Sequence, residues 1–202
     1  MSSREPGGGS LDHRGEILIL TGTPGAGKTT TAEALARLPG SPKVHLHSDF
    51  YWGFIKNGHV APWLPEADAQ NRVIMQAVAA SALAYAKGGY FVALDGIIGP
   101  WYLDYYRDLG VPLHYIVLRP DLDVAISRVK ARSSGHSLNE SGPVIQLHRQ
   151  FSNLGDLEPN VVSTQGLTQE AQLETVTQAL QSSLYRLKDT LRIPPPAPGG
   201  GG

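Results

Sequence analysis

The sequence predicts a three-layer α/β domain built on a five-stranded parallel sheet. Short apolar runs alternate along the chain with longer stretches of helical periodicity, the arrangement that produces a parallel sheet with helices on both faces. The runs are continuous rather than alternating, as strands buried on both faces require. A length of 202 residues suits one domain with a substantial core and leaves little room for two.

The first strand is Ile17-Leu18-Ile19-Leu20, followed by a glycine-rich turn and a helix from Lys28 to Leu38 that stops at Pro39-Gly40. Val44 to His47 forms the second strand and opens into a loop carrying Gly53, Gly58, Pro62 and Pro65. An alanine-rich helix runs from about Glu66 to Lys87 and ends at Gly88-Gly89. Tyr90 to Leu94 is the third strand, closed by Asp95-Gly96, and Leu113 to Leu118 is the fourth, ended by Pro120. Helical patterns follow over 121–132 and 144–152, separated by a polar stretch. Val161-Val162 is a weak fifth strand, and Leu173, Val176, Leu180, Leu184 and Leu187 recur at helical spacing as the core face of a closing helix.

The chain holds 23 Gly and 15 Pro, and twelve of these lie within residues 1–10 and 193–202. Both segments read as flexible tails, too poor in apolar side chains to offset the entropy of ordering, and 11–192 is the expected domain. A net charge of −1 supplies no general field for nucleic acid or a membrane surface. With no Cys, no apolar run near membrane-spanning length and no secretory leader pattern, a soluble cytoplasmic protein is expected.

Gly22-Thr23-Pro24-Gly25-Ala26-Gly27-Lys28-Thr29 matches G-x-x-x-x-G-K-[ST] between a strand and a helix, the context in which that motif is a phosphate loop (Walker A). Its glycines let successive N–H groups face one centre, and the helix start adds partial positive charge. Lys28 is placed for the β- and γ-phosphates, Thr29 for Mg²⁺, and Thr30 lies beside them in the first helical turn. The expected fold is therefore a P-loop NTPase domain, and the expected cofactors are ATP and Mg²⁺.

Together with an Asp past the second strand, another past the third, and an Arg-x-x-x-Arg helix leading to a polar flap, the loop resembles the small P-loop kinases. That group includes gluconate and shikimate kinases, chloramphenicol phosphotransferase, the zeta-toxin-type kinases and adenylate-kinase relatives; the chain also resembles bacterial AAA family ATPases. The resemblance spans roughly residues 16–190, and it implies a kinase with a small-molecule hydroxyl as acceptor. In that reading Asp49 contacts the acceptor and takes its proton, although Ser48-Asp49 also suits a helix cap. Asp95 holds Mg²⁺ through water, makes a second acceptor contact, or forms a turn with Gly96. Arg128 lies over the adenine and Arg132 reaches the phosphates, the two sharing one helix face. The stretch of about 133–142 is the lid, with Arg149 beyond it.

Two absences favour transfer over hydrolysis. No Glu follows Asp95, where hydrolytic AAA-type motors carry one to activate water, and no Asn-Lys-x-Asp is present to select guanine. A regulatory ATPase acting through a protein partner and a polynucleotide- or RNA-end kinase are the alternatives, the latter opposed by the balanced charge.

Nine of the 15 aromatic residues follow strands two and three: Phe50, Tyr51, Trp52, Phe54 and Trp63, then Trp101, Tyr102, Tyr105 and Tyr106. They form an acceptor pocket, with Tyr51, Trp52, Trp101 and Gly96 as substrate contacts, or else pack the long loops. His45 and His47 share one strand face, an arrangement more typical of core histidines than of a metal site.

Overall fold

The computed structural model describes residues 10–131 and 141–187. Five strands, β1 (Ile17–Gly22), β2 (Lys43–His47), β3 (Phe91–Asp95), β4 (Leu113–Arg119) and β5 (Val161–Ser163), form one sheet in the order β2-β3-β1-β4-β5. Every pairing within it is parallel. Around it lie α1 (Lys28–Arg37), α2 (Phe50–Gly53), α3 (Asp68–Lys87), α4 (Asp104–Arg107), α5 (Leu122–Ala131), α6 (Ser141–Gln150) and α7 (Gln169–Gln181).

The period of two along each central strand divides the core between the two faces. Ile17, Ile19, Val92, Leu94, Tyr115 and Val117 pack with Met75, Val78 and Ala82 of α3 and with Tyr106 of α4. On the reverse face, Leu18, Leu20, Phe91, Ala93, Ile116 and Leu118 meet Ala32 and Leu35 of α1 and Val176 and Leu180 of α7. β1, β3 and β4 are therefore buried on both sides, as continuous apolar runs demand. β2 is an edge strand whose residues all remain partly exposed, which accounts for its interleaved Lys43, His45 and His47.

The closing helix is shorter than its leucine spacing predicts. α7 ends at Gln181, and Ser183 adopts φ 55°, a left-handed turn that breaks the helix. Leu184 then faces solvent instead of the core. The chain returns along β4: the Tyr115 N–H donates to the Tyr185 carbonyl at 2.9 Å and the Leu187 N–H to the Leu113 carbonyl at 2.8 Å. Asn160 locks this return by donating to the carbonyls of Tyr115 and Tyr185. The polar stretch before α6 also ends earlier than expected, because Ser141 and Gly142 already belong to the helix. Residues 132–140, which include Arg132 and the rest of the expected lid, lie outside the described residues. No helix among the described residues is long and apolar enough to cross a membrane.

Candidate active site

The phosphate loop leaves β1 at Gly22, whose φ of 134° is open to glycine alone and whose Cα faces β4 closely. A Cβ there would lie 2.1 Å from the Leu118 carbonyl oxygen. Gly27 begins α1 with no side-chain cap, so the N–H groups of the first turn remain available to an anion. Lys28 is buried, its Nζ donating to the carbonyls of Gly22 at 3.0 Å and Thr23 at 2.9 Å, which holds the ammonium across the loop. Thr29 and Thr30 are exposed at the start of α1, while Pro24, Gly25 and Ala26 are buried beneath.

Asp95, at the end of β3, is the electrostatic centre of the site. It is fully buried and accepts hydrogen bonds from the Thr29 hydroxyl at 2.7 Å, His45 Nε2 at 2.6 Å and His47 Nδ1 at 3.1 Å. Burial raises its pKa, but the hydrogen bonds from His45, His47 and Thr29 overcome that effect and hold the carboxyl far below the ordinary 3.8. His47 is raised above its ordinary 6.5 chiefly by the same bond to Asp95, with burial acting against it. His45 and His47 are thus not core histidines: they are partly exposed edge-strand residues that turn toward one carboxylate.

These opposed shifts each contribute to the pH dependence of stability in metal-free protein. Asp95 contributes fully above 3.8, and its contribution disappears as pH falls toward its folded pKa. His47 contributes fully below 6.5, and its contribution disappears as pH rises through its folded pKa. Melting temperature should therefore decline as pH rises from 6.5 through the folded pKa of His47, and His47→Gln should flatten that alkaline decline. An unchanged alkaline arm in that variant would show that another group carries it.

Asp49 stands at the mouth of the site. Its side chain is 54% exposed, and its Oδ2 lies 3.8 Å from His47 Nε2. It precedes α2 but makes no side-chain cap bond, so its carboxylate is not spent on capping. Gly96 packs directly beneath this corner: a Cβ there would meet Ser48 Oγ at 1.8 Å and Asp49 Oδ1 at 3.7 Å. The Ser48 N–H donates to the Asp95 carbonyl at 2.9 Å, tying the two strand ends together. Arg128 on α5 reaches the phosphate loop, donating from Nη1 to the Gly25 carbonyl at 3.3 Å. Arg149 lies exposed in the last turn of α6.

A family model described as an AAA domain matches residues 18–142. The chain belongs to this AAA domain family. No curated protein matches it in sequence. Among solved structures, a Janibacter sp. HTCC2649 sugar kinase superposes with a TM-score of 0.60 at 19% identity, over 82% of this chain and 94% of that one. The Deinococcus radiodurans tunicamycin resistance protein gives 0.61 at 18% identity, over 86% and 98% respectively. Acinetobacter baumannii shikimate kinase, solved with shikimate, gives 0.57 at 18% identity, over 83% and 93%. The fold is that of the small P-loop kinases.

In this AAA domain the aromatic residues divide between roles. Tyr106 is core, its hydroxyl against Met75 Sδ. Trp52 is partly buried and donates from Nε1 to Asn71 Oδ1 at 2.9 Å, while Trp101 packs against Phe151 with ring centroids 5.8 Å apart. Tyr51 and Phe54 instead line an apolar groove of about 460 Å³ between α2 and α3, with Ile55, Val73, Ile74 and Ala77. Phe50 is exposed and stands edge-on to His47 at 4.8 Å.

Sequence reading missed Gln172 of α7. Buried against the loop, it donates from Nε2 to the Ala26 carbonyl at 3.2 Å and to Thr31 Oγ1 at 2.7 Å. The available signal was a polar residue one helical turn before Val176, on the face that enters the core.

Proposed function

We propose that this chain is an ATP-dependent phosphotransferase acting on a hydroxyl of a small molecule. The carrying observation is the convergence at adjacent strand ends of the phosphate loop, the buried ionised Asp95 and the exposed Asp49. In parallel α/β sheets ligands bind at such carboxyl ends. The small-molecule names of the sugar kinase and shikimate kinase that share the fold support the same reading.

The amides at the start of α1 and Lys28 bind and orient the triphosphate. The donor set fits Mg²⁺, since the Thr29 hydroxyl donates a hydrogen bond to Asp95 and keeps its oxygen lone pairs for a cation, while Asp95 stays ionised. When bound, the ion neutralises charge on the β- and γ-phosphate oxygens. Asp49 accepts the proton of the acceptor hydroxyl as the new O–P bond forms and the bond to the ADP oxygen breaks. Arg128, and Arg132 beyond the described residues, supply positive charge to the transferred group. Tyr51, Trp52, Trp101 and Gly96 border the acceptor. With Gly96 in place of a Glu after Asp95, no side chain stands there to activate water, which favours an alcohol acceptor.

ADP release from Mg-ATP, measured alone and with a panel of hydroxylated metabolites and antibiotics, tests the proposal. Turnover should be negligible alone and appear with one class of acceptor. Vigorous hydrolysis of ATP that no acceptor alters would instead identify an ATPase.

A further inference from the structure

At the amino-terminal end of the sheet, away from the phosphate loop, three side chains that the proposed reaction does not use converge. His13 lies in the turn before β1, closed by the Glu16 N–H donating to the His13 carbonyl at 3.0 Å. Glu16 immediately precedes β1, and His114 is the second residue of β4, paired with Leu18 in the β1–β4 register. Parallel pairing therefore brings the three residues together on a backbone frame. His13 Nδ1 lies 2.8 Å and His114 Nε2 2.7 Å from the same Glu16 oxygen, Oε2. The three potential ligand atoms are all within 4.8 Å of one another. The two rings stand edge to face with centroids 5.5 Å apart, so their nitrogens approach that oxygen from different directions.

The protonation states suit a cation. Burial lowers His114 below its ordinary 6.5 in spite of Glu16, which leaves the imidazole neutral at pH 7. Burial raises Glu16, but hydrogen bonds from His13 and His114 outweigh it and keep the carboxyl below its ordinary 4.5 and ionised. Two imidazoles and one carboxylate form the donor set of three-ligand zinc sites, whereas Mg²⁺ and Ca²⁺ prefer oxygen alone. The His114 side chain is 3% exposed, yet those of His13 and Glu16 are 15% and 23% exposed, which leaves one side open for a water as fourth ligand. Two features restrain affinity. His114 Nδ1 is buried without a partner, and it must carry the ring proton once Nε2 binds metal; the positive Arg186 also lies near.

We propose that His13, Glu16 and His114 bind one divalent transition-metal ion of the Zn²⁺ class, joining the turn before β1 to β4. The site is independent of the phosphotransferase reading, and its test uses no nucleotide. Tag-free full-length protein is titrated with Zn²⁺ by calorimetry and with Co²⁺ by visible absorption. One ion should bind per chain and raise the melting temperature. His13→Gln, in the surface turn, and Glu16→Gln should weaken binding by at least about tenfold, while His45→Gln/His47→Gln should retain it. Near-ultraviolet circular dichroism of His13→Gln checks that its fold is intact. Absence of binding, undiminished affinity in His13→Gln, or loss confined to His45→Gln/His47→Gln would overturn the site; the last result would place the ion at Asp95.

Discussion

Gly22→Ala is expected to abolish stable folding or lower the urea midpoint severely. The new Cβ would sit 2.1 Å from the Leu118 carbonyl oxygen and 3.0 Å from its carbon, distances no relaxed structure tolerates. The contacted atoms are backbone of β4, which is paired with β1 over six residues, so the obstruction cannot rotate away. The φ of 134° adds conformational strain to the steric conflict. Overpacking costs about 1–3 kcal/mol where side chains can adjust, and here only the central strands can yield. A loss of about 4 kcal/mol or more is therefore expected, against a total stability of about 5–15 kcal/mol for domains generally. Gly27→Ala provides the contrast: its φ is 85°, but its nearest contact is the far end of the Gln172 side chain at 2.8 Å, which can move. Equal urea midpoints for the two variants would show that the Leu118 contact does not decide the matter.

Asp49→Asn should depress phosphoryl transfer by about 10²–10⁴-fold, the usual contribution of a positioned proton acceptor, and leave ATP affinity almost unchanged. Asparagine keeps the shape of the side chain but cannot hold the acceptor's proton. Asp49 is exposed and makes no cap bond, so the fold should tolerate the change. Lys28→Ala should behave differently, weakening ATP binding and transfer together, because its ammonium is held across the phosphate loop. Calorimetric ATP affinities read beside ADP release separate the two patterns. Retained transfer in Asp49→Asn would remove that residue from proton transfer, whatever the fate of Lys28→Ala.

The parts of the site legible in the sequence are those whose chemistry is contiguous. Residues 22–29 carry the phosphate loop in one stretch, and a strand followed by Asp places Asp49 and Asp95 at the same end of the sheet. The grip of His45 and His47 on Asp95 depends instead on β2 lying beside β3 with His47 opposite Asp95, a register that strand spacing alone does not specify. Gln172 was hidden for a similar reason, since it meets Ala26 across 146 positions of sequence. Helical periodicity overran the end of α7 because Leu184 and Leu187 continue the spacing after the backbone has turned at Ser183. Leu187 remains apolar and packed, but against the core on the other face of the sheet, so its hydrophobicity was informative while its phase was not.

The return of the chain beside β4 also bears on self-association. β5 pairs only with Val117, Leu118 and Arg119, which leaves the beginning of β4 without a strand neighbour on that side. Residues 185–187 occupy the gap, satisfying the Tyr115 N–H and the Leu113 carbonyl. An uncovered row of such groups is a template for pairing with another molecule. The segment after α7 therefore acts as a guard on the sheet: a chain cut at Gln181 would keep its phosphate loop and gain an edge on which copies could join.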